Sequence, residues 1–475
     1  MLKNFTRSSG FKVFLLGFLT LVLLIPIAMI DDVIHERSRL AKDAEREITS
    51  VWGGEFIALG PILQMPLKRL ESVVSKNKGG AAEKKEVVGE YVYRVAPALL
   101  NVEANLKTLV KYRGIFSVPL YEGEVVIAGR FDAAKIGADL SQFETINPKA
   151  AEIVFALAGQ KSIRAIKKAE FNGQKLEFNA GDRGFIAPEI MDEAAYLDYR
   201  GAQYFNHADT KGGIYAKAPL NMNGENRFEI VLQIQGGKSF KAVPIGGESE
   251  FKIAADWGDP SFNGAYLPIE RAITEKGFEA KYQINYLSRN IPATWSTLGE
   301  ASNMTEVKMK SAMFGVDFYK ALDHYALNIR AVKYAILFLI VPFLALFVME
   351  IVQNNKRVEA DRQLIHPAQY LIAGVGNLVF YLLLLAFSEH INFHLAYFIS
   401  AIASTLLLAL YAKSLFKSGN WKQSGFIAII MALCYAFLFV TLLSQDWALL
   451  IGAIFCFITI AATMYFTRKV EWYRD

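Results

Sequence analysis

The placement of the long apolar runs constrains this chain more than any other feature. One run lies at 12–30; the others are gathered after Ala331, at 332–352, 367–387, 391–412, 424–443 and 446–466. A stretch of roughly 20 apolar residues crosses the hydrocarbon layer as a helix. A helix suits the task because it satisfies its own backbone polar groups there. The stretch 31–330 has no such run. The pattern predicts an α+β membrane protein: six transmembrane helices, one N-terminal and five C-terminal, with one large water-exposed domain between the first and second. Charged residues still make up 20% of a chain that is 53% hydrophobic. That mixture fits a membrane part joined to an ordinary globular part.

Lys and Arg gather on the cytoplasmic side of short loops. Lys3, Arg7 and Lys12 precede the first span, and Lys356, Arg357 and Arg362 follow the second. Lys413, Lys417 and Lys422 follow the fourth, and Arg468, Lys469 and Arg474 follow the last. The remaining short loops, 388–392 and 444–446, have neither residue type. Alternation therefore predicts two cytoplasmic termini and an external domain, periplasmic in a bacterium with two membranes. The first run resembles a secretory signal, but no small-x-small site follows Ile27-Ala28-Met29-Ile30-Asp31, so it reads as an uncleaved signal anchor. The resulting division is 1–30 tail and anchor, 31–51 juxtamembrane helix, 52–330 external domain and 331–475 five-helix bundle. The net charge of +5 is spread over short loops and forms no basic face, which argues against a nucleic-acid partner.

In 31–51, Ile34, Ala41, Ala44, Ile48 and Val51 recur at helical spacing between charged residues. Trp52-Gly53-Gly54 ends that helix. Alternation then takes over. Phe228, Ile230, Leu232 and Ile234 face one way, Gly236-Gly237 offers a hairpin turn, and 239–245 returns. Strand-like runs also occur at 87–95, 100–111, 124–131, 165–178, 251–257 and 277–286. They predict an antiparallel, sandwich-like β-rich domain. The polar segment 75–85 reads as a mobile loop, and 317–330 as a helix leading into the second span. Both cysteines, Cys434 and Cys456, lie in predicted spans. No disulfide framework is available to the external domain, so its core alone must hold it.

Several motifs tempt a catalytic reading and lack their partners. Gly237-Lys238-Ser239 has Leu232 where a phosphate-binding loop needs its first glycine. Ser75-Lys76-Asn77-Lys78 has the Ser-x-x-Lys pattern of penicillin-binding enzymes without their Ser-Asp-Asn and Lys-Thr-Gly. His207 and Asp209 have no Gly-x-Ser-x-Gly nucleophile elbow beside them. His390 and His394 are four apart and could share a helix face as metal ligands. With Glu389 they lie where the chain reverses, so they read as interfacial residues or a polar partner site. No Asp, Glu, Lys or Arg falls in the middle of a span, although transporters usually work through such a group. Asn377, near mid-membrane, reads as a structural hydrogen-bonding residue. No cofactor is implied.

An ordered set of segments carries a family resemblance. It begins with Trp52-Gly53-Gly54 and Gly60-Pro61, then Tyr112-Arg113-Gly114-Ile115 running on to Val118-Pro119-Leu120-Tyr121. Asp259-Pro260-Ser261-Phe262 follows with Gly264-Ala265, then Leu287-Ser288-Arg289-Asn290 with Pro292 and Trp295. Phe314-Gly315-Val316 leads to Asp323, Tyr325, Arg330 and Lys333-Tyr334. Ile365-His366-Pro367, Gln369-Tyr370 and Ser388-Glu389-His390-Ile391 close the series. The chain resembles the CreD family of bacterial inner-membrane proteins, known as cell-envelope integrity proteins. The resemblance implies an inner-membrane location, a link to a two-component regulatory system and a role in envelope maintenance, and it supplies no catalytic residues. The expected function is non-enzymatic, with the lipid bilayer and envelope proteins, lipid or peptidoglycan as partners. Transport or lipid handling is the alternative, and a periplasmic hydrolase a second one. Asp323, Arg330, Glu389, His390 and His394 are the candidate contact residues between domain and bundle. Asp323 and Arg330, seven apart, share a helix face.

Overall fold

The computed structural model describes residues 9–76, 82–133, 145–157, 160–181, 183, 212–222, 224–297, 301–318, 324–354, 365–415, 421–444 and 447–468. His207, Asp209 and Asp323 lie outside them. The chain forms two compact units, Met1–Lys42 with Leu322–Asp475, and Asp43–Ala321.

The first element, α1 (Ser9–Trp52), is a single helix through Pro26. It stops where the pattern predicts. Gly53 and Gly54 take positive φ, and both of their N–H groups donate to the Thr49 carbonyl, at 3.1 and 2.7 Å.

The second unit is built of strands. They are β1 (Phe56–Lys76), β2 (Ala82–Val95), β3 (Leu99–Arg113), β4 (Phe116–Phe131), β5 (Thr145–Ile146) and β6 (Glu152–Leu157). Then come β7 (Ile163–Phe171), β8 (Gln174–Lys175), β9 (Asn179–Ala180), β10 (Gly212–Lys217), β11 (Asn226–Gly237) and β12 (Ser239–Ala242). β13 (Glu248–Ala255), β14 (Pro260–Gly264), β15 (Glu270–Thr274) and β16 (Gly277–Asn285) follow. The short α2 (Tyr286–Arg289), β17 (Thr294–Ser296), α3 (Ala301–Ser311) and β18 (Phe314–Phe318) complete it.

One sheet runs β14-β18-β12-β1-β6-β10-β9, with β2 and β5 also on β1 and β17 on β2; the other runs β15-β16-β13-β3-β4-β11-β7-β8. Alternating residues of both sheets enter one apolar core, from Phe56 and Ile62 to Leu232, Phe251 and Phe314. Most charges stay on the outer face, where Arg164 meets Glu122 at 2.7 Å and Lys167 meets Glu124 at 2.6 Å, while Arg94 and Arg289 are buried.

Four expectations need correction. The sheets are mixed rather than antiparallel: β12 runs parallel to β1, and β13 parallel to β3. Gly236-Gly237 is no hairpin turn. Both glycines end β11, and the chain crosses into the other sheet at Lys238, whose φ is +65°. Glycine is needed there for closeness, because a Cβ on Gly236 would meet the Tyr121 hydroxyl at 2.5 Å and one on Gly237 would meet Leu120 Cδ2 at 2.7 Å. Strand pairing extends into both ends of the 75–85 segment, since β1 reaches Lys76 and β2 starts at Ala82, while 77–81 lie outside the described residues. Finally, Asp317 lies in β18, not in a helix: Phe314, Val316 and Phe318 alternate into the core.

The first unit is helical. After α1 it contains α4 (His324–Lys333), α5 (Ala335–Asn354), α6 (Pro367–Ser388), α7 (Phe393–Leu415), α8 (Trp421–Leu443) and α9 (Ala448–Thr467). Among the described residues five helices are long and apolar enough to cross a membrane, and the pair α4 and α5, bent by 48°, adds a sixth if it counts as one span. Outward-facing side chains such as Leu395, Leu406 and Leu449 are apolar, as lipid contact requires.

Candidate functional site in the interior of the helical unit

α6 carries the polar interior. Tyr370, Gly374, Asn377, Tyr381, Leu384 and Ser388 recur every three or four residues, so they form one stripe, and all are buried. His366 starts the helix by accepting from the Ala368 N–H while Gln369 accepts from the His366 N–H, a reciprocal cap. From Tyr370 to Ser388 the stripe is about 27 Å long at 1.5 Å per residue, close to the roughly 30 Å of a hydrocarbon core.

At one end of the stripe sits Glu350, from the last turn of α5, with its side chain only 3% exposed. It forms an ion pair with Lys12 of α1, and it accepts from the Tyr370 hydroxyl at 2.9 Å and the Ile365 N–H at 3.3 Å. At the other end sits Glu389, 5% exposed, which follows α6 directly. Its Oε1 accepts from the Tyr325 hydroxyl at 2.9 Å and lies 3.4 Å from Arg37 Nε. Beside it Asn328 donates to Ser388 Oγ at 3.0 Å and to the His324 carbonyl at 2.7 Å.

Halfway along, Asn377 donates to the Phe338 carbonyl at 2.6 Å and accepts from the Tyr435 hydroxyl at 2.9 Å. This is the structural hydrogen bonding expected of Asn377. The Tyr397 hydroxyl in turn donates to the Tyr435 carbonyl at 2.6 Å. The Tyr381 hydroxyl is buried without a hydrogen bond.

Three contacts fasten α1 to this stripe. Lys12 and Arg37 are its ionic ends, about 38 Å apart along the helix. Between them Leu23, 2% exposed, packs on Gly374. A Cβ on Gly374 would overlap Leu23 Cδ1 and stand 2.8 Å from Phe343 Cζ. Glycine there lets two helices approach closely, as small residues do inside membranes.

The sequence-based candidates are placed as follows. Glu389 joins Tyr325 and Arg37. Arg330 instead donates from Nη1 to the Leu442 carbonyl at the end of α8, at 3.4 Å. The His390 N–H donates to the Phe387 carbonyl as the chain reverses. The His394 N–H donates to Asn392 Oδ1 at 2.9 Å, capping α7, and its ring lies 5.7 Å from that of Phe439. Among the described residues no three His, Cys, Asp or Glu side chains are grouped to hold a metal. Sequence reading missed Glu350 and Arg37. Glu350 lies at a span end and Arg37 in the charge-rich juxtamembrane helix, where a charge looks ordinary, and only the fold brings them to their partners.

An exterior of apolar helices around a hydrogen-bonded interior, in one chain with a large β-rich unit, defines a multi-pass membrane protein. The family described as "Inner membrane protein CreD" matches residues 8–473 of the chain. "Inner membrane protein CreD" of Escherichia coli (strain K12) is 28% identical over 455 residues, covering 95% of this chain and 91% of that protein. The chain belongs to the CreD family of inner membrane proteins.

Proposed function

We propose that this chain is a non-enzymatic envelope-integrity protein. Its β unit is periplasmic, both termini are cytoplasmic, and α4 with α5 counts as one of six spans. The partners are the bilayer and envelope proteins, lipid or peptidoglycan. Arg330, Glu389, His390 and His394, with Asp323 before α4, mark the outer rim of the bundle that meets them. One observation supports the reading most. Among the described residues, the two acidic side chains nearly closed off within the helical unit, Glu350 and Glu389, are each engaged by a cation and a tyrosine. A transporter keeps such a group available to its cargo, whereas here they tie helices together. The pairing also fits the topology, because Lys12 with Glu350 gathers one set of helix ends and Arg37 with Glu389 the opposite set.

The test is complementation of a strain lacking the protein under envelope stress. A Lys12→Met/Glu350→Gln double variant removes both charges and keeps a side-chain acceptor for Tyr370 and Ile365, so it restores envelope resistance if the pair is structural. Loss of protection by a double variant that is inserted and folded at wild-type levels sinks the reading in favour of transport. Topology is tested separately with single cysteines at Asn172 and Asn354, after replacement of Cys434 and Cys456. In intact spheroplasts a membrane-impermeant thiol reagent should label position 172 and spare 354, and the reverse pattern would overturn the orientation.

A further inference from the structure

β15 is the outer strand of its sheet, and all five of its residues are exposed. Just before it, Leu267 is 68% and Ile269 55% exposed; just after β16, Tyr286 is 62% and Leu287 75% exposed. The two segments are held side by side. The Tyr266 hydroxyl donates to the Ser288 carbonyl at 2.9 Å, and the Ile269 N–H to the Lys281 carbonyl at 2.8 Å. The Asn285 side chain accepts from the Leu287 and Ser288 N–H groups, both at 3.1 Å, which fixes the turn that presents Tyr286 and Leu287. Four large apolar side chains thus stand in water on one hydrogen-bonded edge. Such an exposed group marks a contact surface rather than a random outward leucine.

Arg289 closes the same short helix, α2, two residues after Leu287. It is 3% exposed, and its Nε and Nη1 are buried without a hydrogen bond. Burial pulls its pKa down to about 10, against the opposing influence of Tyr266. A buried cation with idle donors is unfavourable until an anion meets it. The other charges of this edge cancel: Glu270, Glu275 and Glu279 stand against Arg271, Lys276 and Lys281. The guanidinium is therefore the local charge left to be matched.

We propose that this edge docks on an anionic phospholipid surface. Leu267, Ile269, Tyr286 and Leu287 enter the boundary between headgroups and acyl chains, and a lipid phosphate accepts from Arg289, which extends outward as long cationic side chains do at interfaces. A soluble phosphate would leave the four apolar groups in water, and a neutral apolar partner would leave Arg289 unmatched. A bilayer satisfies both. The proposal rests on the reading of the β unit as the contact-making part of an envelope protein. Cysteine labelling tests the orientation of that unit independently.

The test uses the full chain held in a nonionic amphipol, so that its helices are already covered, and floated with vesicles. One set is phosphatidylcholine, the other phosphatidylcholine with a quarter phosphatidylglycerol. The wild type should float with both and bind the anionic set about fivefold more tightly, as one added cation at a membrane surface allows. Leu267→Asn/Leu287→Asn should weaken binding to both sets by more than tenfold, the loss of two buried leucines. These are surface positions, so the variant folds whatever the outcome. Arg289→Gln should keep the weak binding and lose the anionic preference. Absence of flotation with either set overturns the proposal, as does binding unchanged in the leucine variant or an anionic preference that survives Arg289→Gln. Concentration-dependent self-association without vesicles, abolished by the leucine variant, would assign the edge to a second copy instead.

Discussion

In the β unit the fully buried side chains are mostly rings and aliphatics, such as Phe56, Phe155, Phe240 and Phe314, and the ionic pairs of Arg164 and Lys167 stay half-exposed outside. In the helical unit rings and aliphatics such as Phe338, Leu339 and Phe380 are buried as well, but apolar side chains also cover the outside. Leu395, Leu406 and Leu449 face outward, while Asn377, Ser400 and Glu350 are buried. The outer faces differ in kind because the surrounding medium differs. Water drives apolar area inward in one unit. In the other, lipid is as apolar as leucine, so packing and hydrogen bonds between helices hold the bundle. A hydrophobic residue therefore reports burial only once its solvent is known.

The contrast can be broken at several points. Phe314 is 1% exposed, and its ring lies 4.9 Å from Phe251 and 4.6 Å from Tyr282. Phe314→Ala should destabilise the β unit by about 4 kcal/mol. The loss would be seen in the denaturant midpoint of the β-sheet circular dichroism signal, and a loss under about 1 kcal/mol would mean that the shared core is looser than described. Glu350→Gln leaves Lys12 without its charge partner and should cost about 3 kcal/mol in the thermal melting of the helical unit. Adding Lys12→Met should recover much of that loss, and strict additivity of the two changes would argue against the pair.

Asn377→Leu should cost about 1 kcal/mol, because it strands the Tyr435 hydroxyl and the Phe338 carbonyl. No loss at all would show that lipid-facing packing alone holds α6.

The smallest effect concerns a charge on the wrong side of the contrast. Asp317 sits against the β core. Its Oδ2 accepts from Asn263 at 2.5 Å and its Oδ1 has no partner. Burial raises its pKa, and Lys241 opposes the shift. A carboxyl raised in the folded state contributes stability that is complete below its usual value near 3.8 and is lost as pH rises through the folded value. Asp317→Asn should therefore raise the melting temperature slightly at neutral pH and flatten its dependence on pH above about 4. A variant less stable than wild type at pH 7 would refute the assignment.

The helices and strands were legible because periods of 3.6 and 2 state which face is buried. The pairing of strands was not, because a period says nothing about neighbours. β12 reads as the return arm of a hairpin from Gly236-Gly237, yet it lies parallel to β1 in the other sheet, and the glycines are there to admit Tyr121. Asp317 reads as helical because the segment leads toward a span, although Phe314, Val316 and Phe318 carry the period of a strand. At the candidate site, Asn377 was visible as a polar residue at mid-span. Glu350 and Lys12 were hidden at span ends, and only contact across 338 residues of chain gives them meaning.

That separation has a consequence during synthesis. α1 leaves the ribosome long before the carboxylates that will neutralise its charges. At 5–20 residues per second, Lys12 waits roughly 20–70 s for Glu350 to be made. For that interval α1 is a lone helix whose lysine must reach the aqueous boundary, and the whole β unit is synthesised before the first of the later helices.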